Sequence, residues 1–213
     1  VFEAVLPARG RRALEHLAGA DLLSAFYMAG GTALALHLGH RLSEDLDFFS
    51  GVPFDPFDLR QRLEQLGPFE VLDQRRGTLH GLFQGVRLSF LFYRYPLLFQ
   101  PASFLRCRVA VPRDIAPMKM EAIASRGSRK DFFDLYFIAR EVAGLEECLE
   151  LYRRKYAGTG FNLYHVLKSL TYFADAEREK DPVLLRPATW AQVKGYFERE
   201  APRLLATALG LGD

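Results

Sequence analysis

A glycine pair between a short apolar segment and an apolar helix pattern constrains this chain more than any other feature. Ala25-Phe26-Tyr27-Met28 is short, apolar and aromatic, so it is expected to form a buried strand. Gly30-Gly31 can take backbone angles closed to other residues and lets a ligand approach the main chain. Thr32 to Gly39 then reads as a short apolar helix. Its first unpaired N–H groups and the positive end of its dipole would face an anion at the turn. Arg41, Ser43, Asp45 and Asp47 follow at every second position. Leu46, Phe48 and Phe49 suit a core strand, and alternate strand side chains share a face. Asp45 and Asp47 are therefore expected to point the same way.

Two adjacent carboxylates repel, at about 4 kcal/mol for a separation of about 4 Å and an effective dielectric of about 20. A divalent cation between them, or a proton on one of them, removes that cost. Mg²⁺ (or Mn²⁺) is the natural occupant, because it prefers a few carboxylates together with substrate phosphates. An isolated Asp-x-Asp is read most simply as a solvated turn. The glycine corner and helix start ahead of this one favour a phosphate-and-metal site.

The motif Gly30-Gly31-Thr32, apolar helix, Arg41-x-Ser43-x-Asp45-x-Asp47 closely resembles the AbiEii/AbiGii toxin family of nucleotidyltransferases, within the wider DNA polymerase β-like superfamily. A second block supports the resemblance. Lys119-Met120-Glu121-Ala122-Ile123-Ala124-Ser125-Arg126 and Arg129-Lys130-Asp131-Phe132-Phe133-Asp134 match the downstream Lys…Ala…Arg…Arg-Asp-x-x-Asp signature, with Lys130 where the family has Arg. The resemblance implies a metal-dependent transfer of a nucleoside monophosphate from a nucleoside triphosphate to an acceptor hydroxyl. The acceptor in such relatives is typically RNA, notably the 3′ end of tRNA. It also implies a toxin of a toxin–antitoxin or phage-defence pair, partnered by a separate antitoxin that is commonly a DNA-binding regulator.

Residue roles follow. Asp45 and Asp47 would hold the metal ions that activate the attacking oxygen and stabilise the leaving pyrophosphate. Gly30, Gly31 and Thr32 would cradle the triphosphate. No lysine precedes Lys119, so a phosphate-pairing side chain in the first half must be an arginine, and Arg41 is best placed. Ser43 caps the turn or adds a phosphate hydrogen bond. Lys119 and Arg126, seven apart on one helix face, read either as a solvated face or as a cationic clamp acting on growing negative charge. The resemblance favours the clamp. Asp131 is placed with the site, although it could also cap its helix or pair with Arg129 or Lys130, and Asp134 is evenly balanced.

One position departs from the superfamily pattern. A neighbouring strand usually supplies a third carboxylate, and in Val86-Arg87-Leu88-Ser89-Phe90-Leu91-Phe92 the matching slot holds Ser89. A neutral hydroxyl ligates Mg²⁺ poorly and cannot serve as the usual base. The base would then come from Asp73, Asp131 or Asp134, or one metal alone would be held tightly. The rival is a nucleotide- or partner-binding module of the same fold without turnover. A third reading is a phosphohydrolase that uses the same carboxylates on water.

Helical spacing of Leu14, Leu17, Leu22 and Leu23 predicts one or two opening helices, and Pro56 to Leu66 a further amphipathic one. Phe69–Leu72, Thr78–Phe83, Val86–Tyr93 and Arg106–Val111 read as strands, with a hairpin corner at Arg75-Arg76-Gly77-Thr78. Beyond Pro112 to Pro117 the pattern is helical: Ile115 to Ser125, Lys130 to Ala143, Leu145 to Tyr156, Phe161 to Ala174 and Thr189 to Leu209. The fold class is therefore α+β. A nucleotidyltransferase-like mixed sheet with flanking helices over residues 1–112 is followed by a helical lobe over 113–213 that contributes Lys119 and Asp131 to the cleft.

Composition excludes little. Over 213 residues, 49% hydrophobic and 25% charged residues are ordinary for a globular protein, and a net charge of +2 does not by itself argue for nucleic-acid binding. Cys107 and Cys148 lack metal-ligand spacing and are read as buried thiols rather than a disulfide. His37 and His40 suggest a zinc pair, yet His37 falls inside the apolar helix and His40 in its exit turn, so packing explains them better. Phe90 to Tyr95 could stack bases beside Arg94, but reads more simply as a core strand running into a loop. The first seven residues lack the basic start and apolar run of a signal peptide, and no stretch is apolar enough for a membrane span, so a cytoplasmic protein is expected.

Overall fold

The computed structural model describes residues 1–208, in two compact units that meet in sequence at Val111/Pro112. The first unit opens with a 3-10 turn at Glu3–Val5 and helix α1 (Ala8–Gly19), which buries Ala13, Leu14 and Leu17. Strand β1 (Tyr27–Ala29) runs directly into helix α2 (Gly30–Leu38), two residues earlier than the sequence pattern suggests. Gly39 ends α2 at φ 64°, a left-handed conformation that glycine adopts without strain. Strand β2 (Leu46–Ser50) follows. Helix α3 (Pro56–Leu66) is capped by Asp55, whose carboxylate accepts from the Phe57 N–H at 2.8 Å, with proline at the first helical position.

Strands β3 (Phe69–Arg75), β4 (Thr78–Phe83) and β5 (Val86–Phe92) form an antiparallel meander. Two short strands complete the sheet, β6 (Ala102–Phe104) and β7 (Cys107–Val109). The order across the sheet is β3-β4-β5-β2-β1-β7-β6, with β2 parallel to β5 and antiparallel to β1. Strand β6 escaped the sequence analysis because its three residues are too few to show alternation.

Alternation sorts the sheet's residues by chemistry. Leu46 and Phe48, Leu88 and Phe90, and Leu79 and Phe83 are fully buried on one face. Phe90 there stacks on Phe48 at 5.0 Å and meets Phe26 edge-on at 5.1 Å. The opposite face carries Asp47, Ser89, His80 and Asp73, which the register places side by side across β2, β5, β4 and β3.

The second unit is helical: α4 (Pro112–Arg126), α5 (Arg129–Glu141), α6 (Leu145–Lys155), α7 (Leu163–Ser169) and α8 (Trp190–Ala208). Helix α4 begins three residues before the expected Ile115 and contains Pro117. Proline is well placed at its first position, and the buried side chains of Ile115, Ala116 and Pro117 let packing override the propensity of the second. Helix α7 is shorter than Phe161 to Ala174, because Asn162 caps its start through the His165 N–H and short-range 171–172 turns replace its end. The final helix matches expectation to Ala208; the expected end at Leu209 lies outside the described residues. Phe132 is the hub of the core, in ring contact with Phe173, Trp190 and Phe197. Cys107 and Cys148 are free and buried, and burial raises their thiols to about 11 and about 12. Among the described residues, no helix is long and apolar enough to cross a membrane.

One ion pair is set wholly inside this unit. Lys155 Nζ lies 3.1 Å from Asp114 Oδ1, and neither side chain is exposed. Burial lowers the Lys155 pKa against the opposing pull of Asp114. Removing one member leaves an uncompensated buried charge, which costs about 3–5 kcal/mol, whereas an apolar pair of similar volume is close to neutral. Urea denaturation of Lys155→Met should show a loss of that size, and Lys155→Met combined with Asp114→Leu should recover most of it.

Candidate active site

Strand β1 delivers the chain to a corner that no side chain can occupy. Gly30 has φ +73°, and a Cβ there would stand 2.9 Å from Asp47 Oδ2. A Cβ on Gly31 would collide with Arg41 Nη2. The two glycines thus leave room for a carboxylate on one side and a guanidinium on the other. No side chain caps the start of α2, so its leading N–H groups face this corner.

The loop between α2 and β2 is tied down by short polar side chains. Thr32 Oγ1 bonds the backbone carbonyl of Asp45 and lies 2.7 Å from Ser43 Oγ. Each hydroxyl has one proton, so with Thr32 donating to the carbonyl, Ser43 donates to Thr32. Ser43 N–H donates to the Val5 carbonyl at 3.0 Å, and Arg41 Nη1 to the Leu42 carbonyl at 3.0 Å. Arg41 is only 5% exposed and Ser43 9%. Ser43 is therefore a strut of the corner, and Thr32 has the same duty.

Asp45 differs from expectation. Strand β2 begins at Leu46, so the pleat orients Asp47 but not Asp45. Asp45 is placed instead by the Thr32 bond to its carbonyl, and both carboxylates are half-buried. The neighbouring-strand slot is as anticipated: Ser89 on β5 sits opposite Asp47, with 7% exposure. His37 packs, with Nε2 3.1 Å from the Ala110 carbonyl, to which it donates, and burial lowers its pKa. His40 is fully buried.

In the second unit Lys119 and Arg126 converge, but not as an exposed helix face. Lys119 Nζ lies 2.7 Å from Asp131 Oδ1 and 2.6 Å from Asp134 Oδ2. Arg126 reaches the same Asp131 through Nε at 2.8 Å and Nη2 at 3.1 Å. Lys119 is 4% exposed and both aspartates are fully buried, whereas the Arg126 side chain is 58% exposed. Asp131 thus neither caps α5 nor pairs with Arg129 or Lys130. Arg129 turns to Glu177 and Asp181 and lies over the Trp190 ring. Sequence spacing placed Lys119 with Arg126 and left Asp134 evenly balanced; α4–α5 packing sets Asp134 in the same cluster.

The sequence matches the model of the nucleotidyl transferase AbiEii toxin family, a type IV toxin–antitoxin system, over residues 12–102 and 85–209. The chain belongs to this family. It is also 40% identical over 200 residues to the uncharacterized protein aq_aa25 of Aquifex aeolicus (strain VF5), covering 92% of this chain and 95% of that one. A crystal structure of a proposed nucleotidyltransferase from Helicobacter pylori superposes with a TM-score of 0.53 at 19% identity, covering 95% of each chain. That likeness is one of fold.

AbiEii nucleotidyltransferase chemistry calls for a metal, and the donor set here fits one. The half-buried Asp47 carboxylate beside a corner lacking Cβ atoms, with half-buried Asp45 two residues before it, suits a divalent cation such as Mg²⁺, which keeps positions open for phosphate and water. Among the described residues no group of three or more His, Cys, Asp or Glu forms a closed cage.

The buried cluster has its own pH signature. Burial opposes the charged form of Asp131, yet Lys119 and Arg126 outweigh it and hold the carboxyl below the ordinary carboxylate range. Its stabilising contribution is full above that range, about pH 4, and is lost as pH falls through the lowered value. Thermal melts followed by circular dichroism at pH 7, 5 and 3 should show Asp131→Asn less stable than wild type at pH 7. The gap should shrink at pH 3, because the Asn variant takes up no proton there.

Proposed function

We propose that this protein moves a nucleoside monophosphate from a nucleoside triphosphate to an acceptor hydroxyl, with RNA such as tRNA as acceptor, and acts as a toxin restrained by a separate antitoxin. The observation that carries this is the approach of Asp47 Oδ2 to the Cβ-free corner at Gly30, beside the uncapped start of α2. A carboxylate and a row of N–H donors at one place suit a metal-bound triphosphate and little else. Asp45 and Asp47 would hold Mg²⁺. When bound, it supplies positive charge that lowers the cost of activating the attacking oxygen and of releasing pyrophosphate.

The remaining work belongs to the chain. The N–H groups of Gly30, Gly31 and Thr32 receive phosphate oxygens, helped by the positive end of α2. Arg41, lodged against Gly31, supplies fixed charge that resists reorganisation because its guanidinium is already buried and bonded. Thr32 and Ser43 keep the loop carrying Asp45 against the helix start. Lys119, Arg126 and Asp131 are assigned to the same reaction as a charged set whose geometry Asp134 supports.

Ser89 favours a second reading, a nucleotide- or partner-binding module without turnover, since it stands where a third carboxylate would flank Asp47. Incubation with α-labelled nucleoside triphosphates, Mg²⁺ and total tRNA separates the two. Wild type should label RNA, and Asp47→Asn should lower the rate by about 10²–10³-fold or more without lowering thermal stability. Nucleotide binding with no label on any acceptor would instead establish the module.

Arg41→Lys offers a second check at the same site. Lysine cannot reproduce the planar fork of donors, so the variant should weaken nucleotide binding by about tenfold, measured by titration with a fluorescent triphosphate analogue.

A further inference from the structure

The Ser89 substitution leaves the reaction short of a group to take the acceptor's proton, and the sheet register points to a replacement two strands from Asp47. Ser89 on β5 pairs with Asp47 on one side and with His80 of β4 on the other. Directly opposed residues share a face, so His80 lies on the half-open face with both. Strands stand about 4.8 Å apart, which puts the His80 backbone about 10 Å from that of Asp47. Ser89 lies between them in the row.

A bulge strengthens the case. From Glu70↔Leu82 and Val71↔Gly81 the regular ladder would set Leu72 against His80. The register shifts there, and Asp73 takes the place opposite His80 while Leu72 is turned out to 44% exposure. One inserted residue thus sets Asp73 in place of Leu72 opposite His80, and the Asp73 carboxylate lies 3.1 Å from Arg75 Nε. Bulges next to active sites commonly re-aim a side chain in this way. His80 is half-buried, and among the described residues no hydrogen bond or ion pair engages its imidazole. The charged groups facing it are Asp47 of β2, Asp73 of β3 and, one pair away along the same face, Glu70 and Arg75 of β3 and Arg87 of β5.

We propose that His80 is the catalytic base of the nucleotidyl transfer, an inference that rests on the nucleotidyltransferase reading above. The acceptor oxygen bonds to the α-phosphorus, and the bond from that phosphorus to the β-bridging oxygen breaks. The electron pair leaves with pyrophosphate, and the hydroxyl proton passes to the unprotonated nitrogen of His80.

The test compares wild type, His80→Gln and His80→Ala in labelled transfer to total tRNA from pH 5.5 to 9, with separate titration of a fluorescent triphosphate analogue. His80→Gln should lower kcat by about 10²–10⁴-fold with nucleotide affinity unchanged, and the acidic limb of its pH–rate profile should disappear. Added imidazole should restore part of the His80→Ala rate. A His80→Gln rate within about threefold of wild type, or an intact acidic limb, would overturn His80 as base while leaving transfer itself standing. Wild type that labels no acceptor would overturn the transfer reading, and the base with it.

Discussion

The corner at Gly30 and Gly31 works because two side chains press against backbone with no Cβ in between. Asp47 Oδ2 takes the space beside Gly30, and the Arg41 guanidinium takes the space beside Gly31. Most of the first unit serves that fit. The order of β1 and β2 in the sheet sets Ala29 opposite Asp47, which brings the glycine turn to the carboxylate. The Thr32 and Ser43 hydroxyls close the loop between them, and the N-terminal turn anchors it through Val5. A methyl group at either glycine would have to displace a charged group, so the corner tolerates little variation. Gly30 adds a backbone angle that L-residues reach only with strain.

Local features of this arrangement were legible in the sequence because their causes are local. A glycine pair before an apolar helix, an Asp-x-Asp before aromatic strand residues, and a Pro after a capping Asp each specify their own few residues. The α3 boundaries and those of β4 follow from the sequence alone. Long-range consequences were not legible. Ser89 could be matched to its slot through the superfamily pattern for a neighbouring strand, but His80 could be found only by knowing that β4 pairs with β5 in that register. The pattern Thr78, His80, Leu82 against Leu79 and Phe83 did carry a hint, since period 2 sets His80 apart from the buried residues. The bulge that brings Asp73 opposite it leaves no sign in the letters.

The second unit makes the complementary point about charge. Helical spacing alone reads Lys119 either as part of a solvated face or as a cationic clamp, yet it is almost wholly buried between two aspartates. Lys155 reads as the last residue of an amphipathic helix and is completely enclosed with Asp114. Hydrophobic periodicity cannot reveal such residues, because they occupy core positions while carrying charge. Their burial is tolerable only as satisfied pairs. Asp131 is held ionised by its two cations against the pull of burial, so the cluster is a defined charged object and not an accident of packing.

The two units hold their charged groups in different ways. In the helical unit, Lys119 and both aspartates are sealed and mutually satisfied, and Arg126 alone remains largely open to solvent. In the sheet unit, Asp45, Asp47 and His80 are half-buried, and the glycine corner supplies backbone donors where no side chain intervenes. The apolar residues that share their strands face the other way and form the core. Two-residue periodicity therefore does more than stabilise the sheet. It delivers Asp47, Ser89, His80 and Asp73 as one row on the face the core does not need, with the positions of all four set by backbone hydrogen bonds and not by loop conformation.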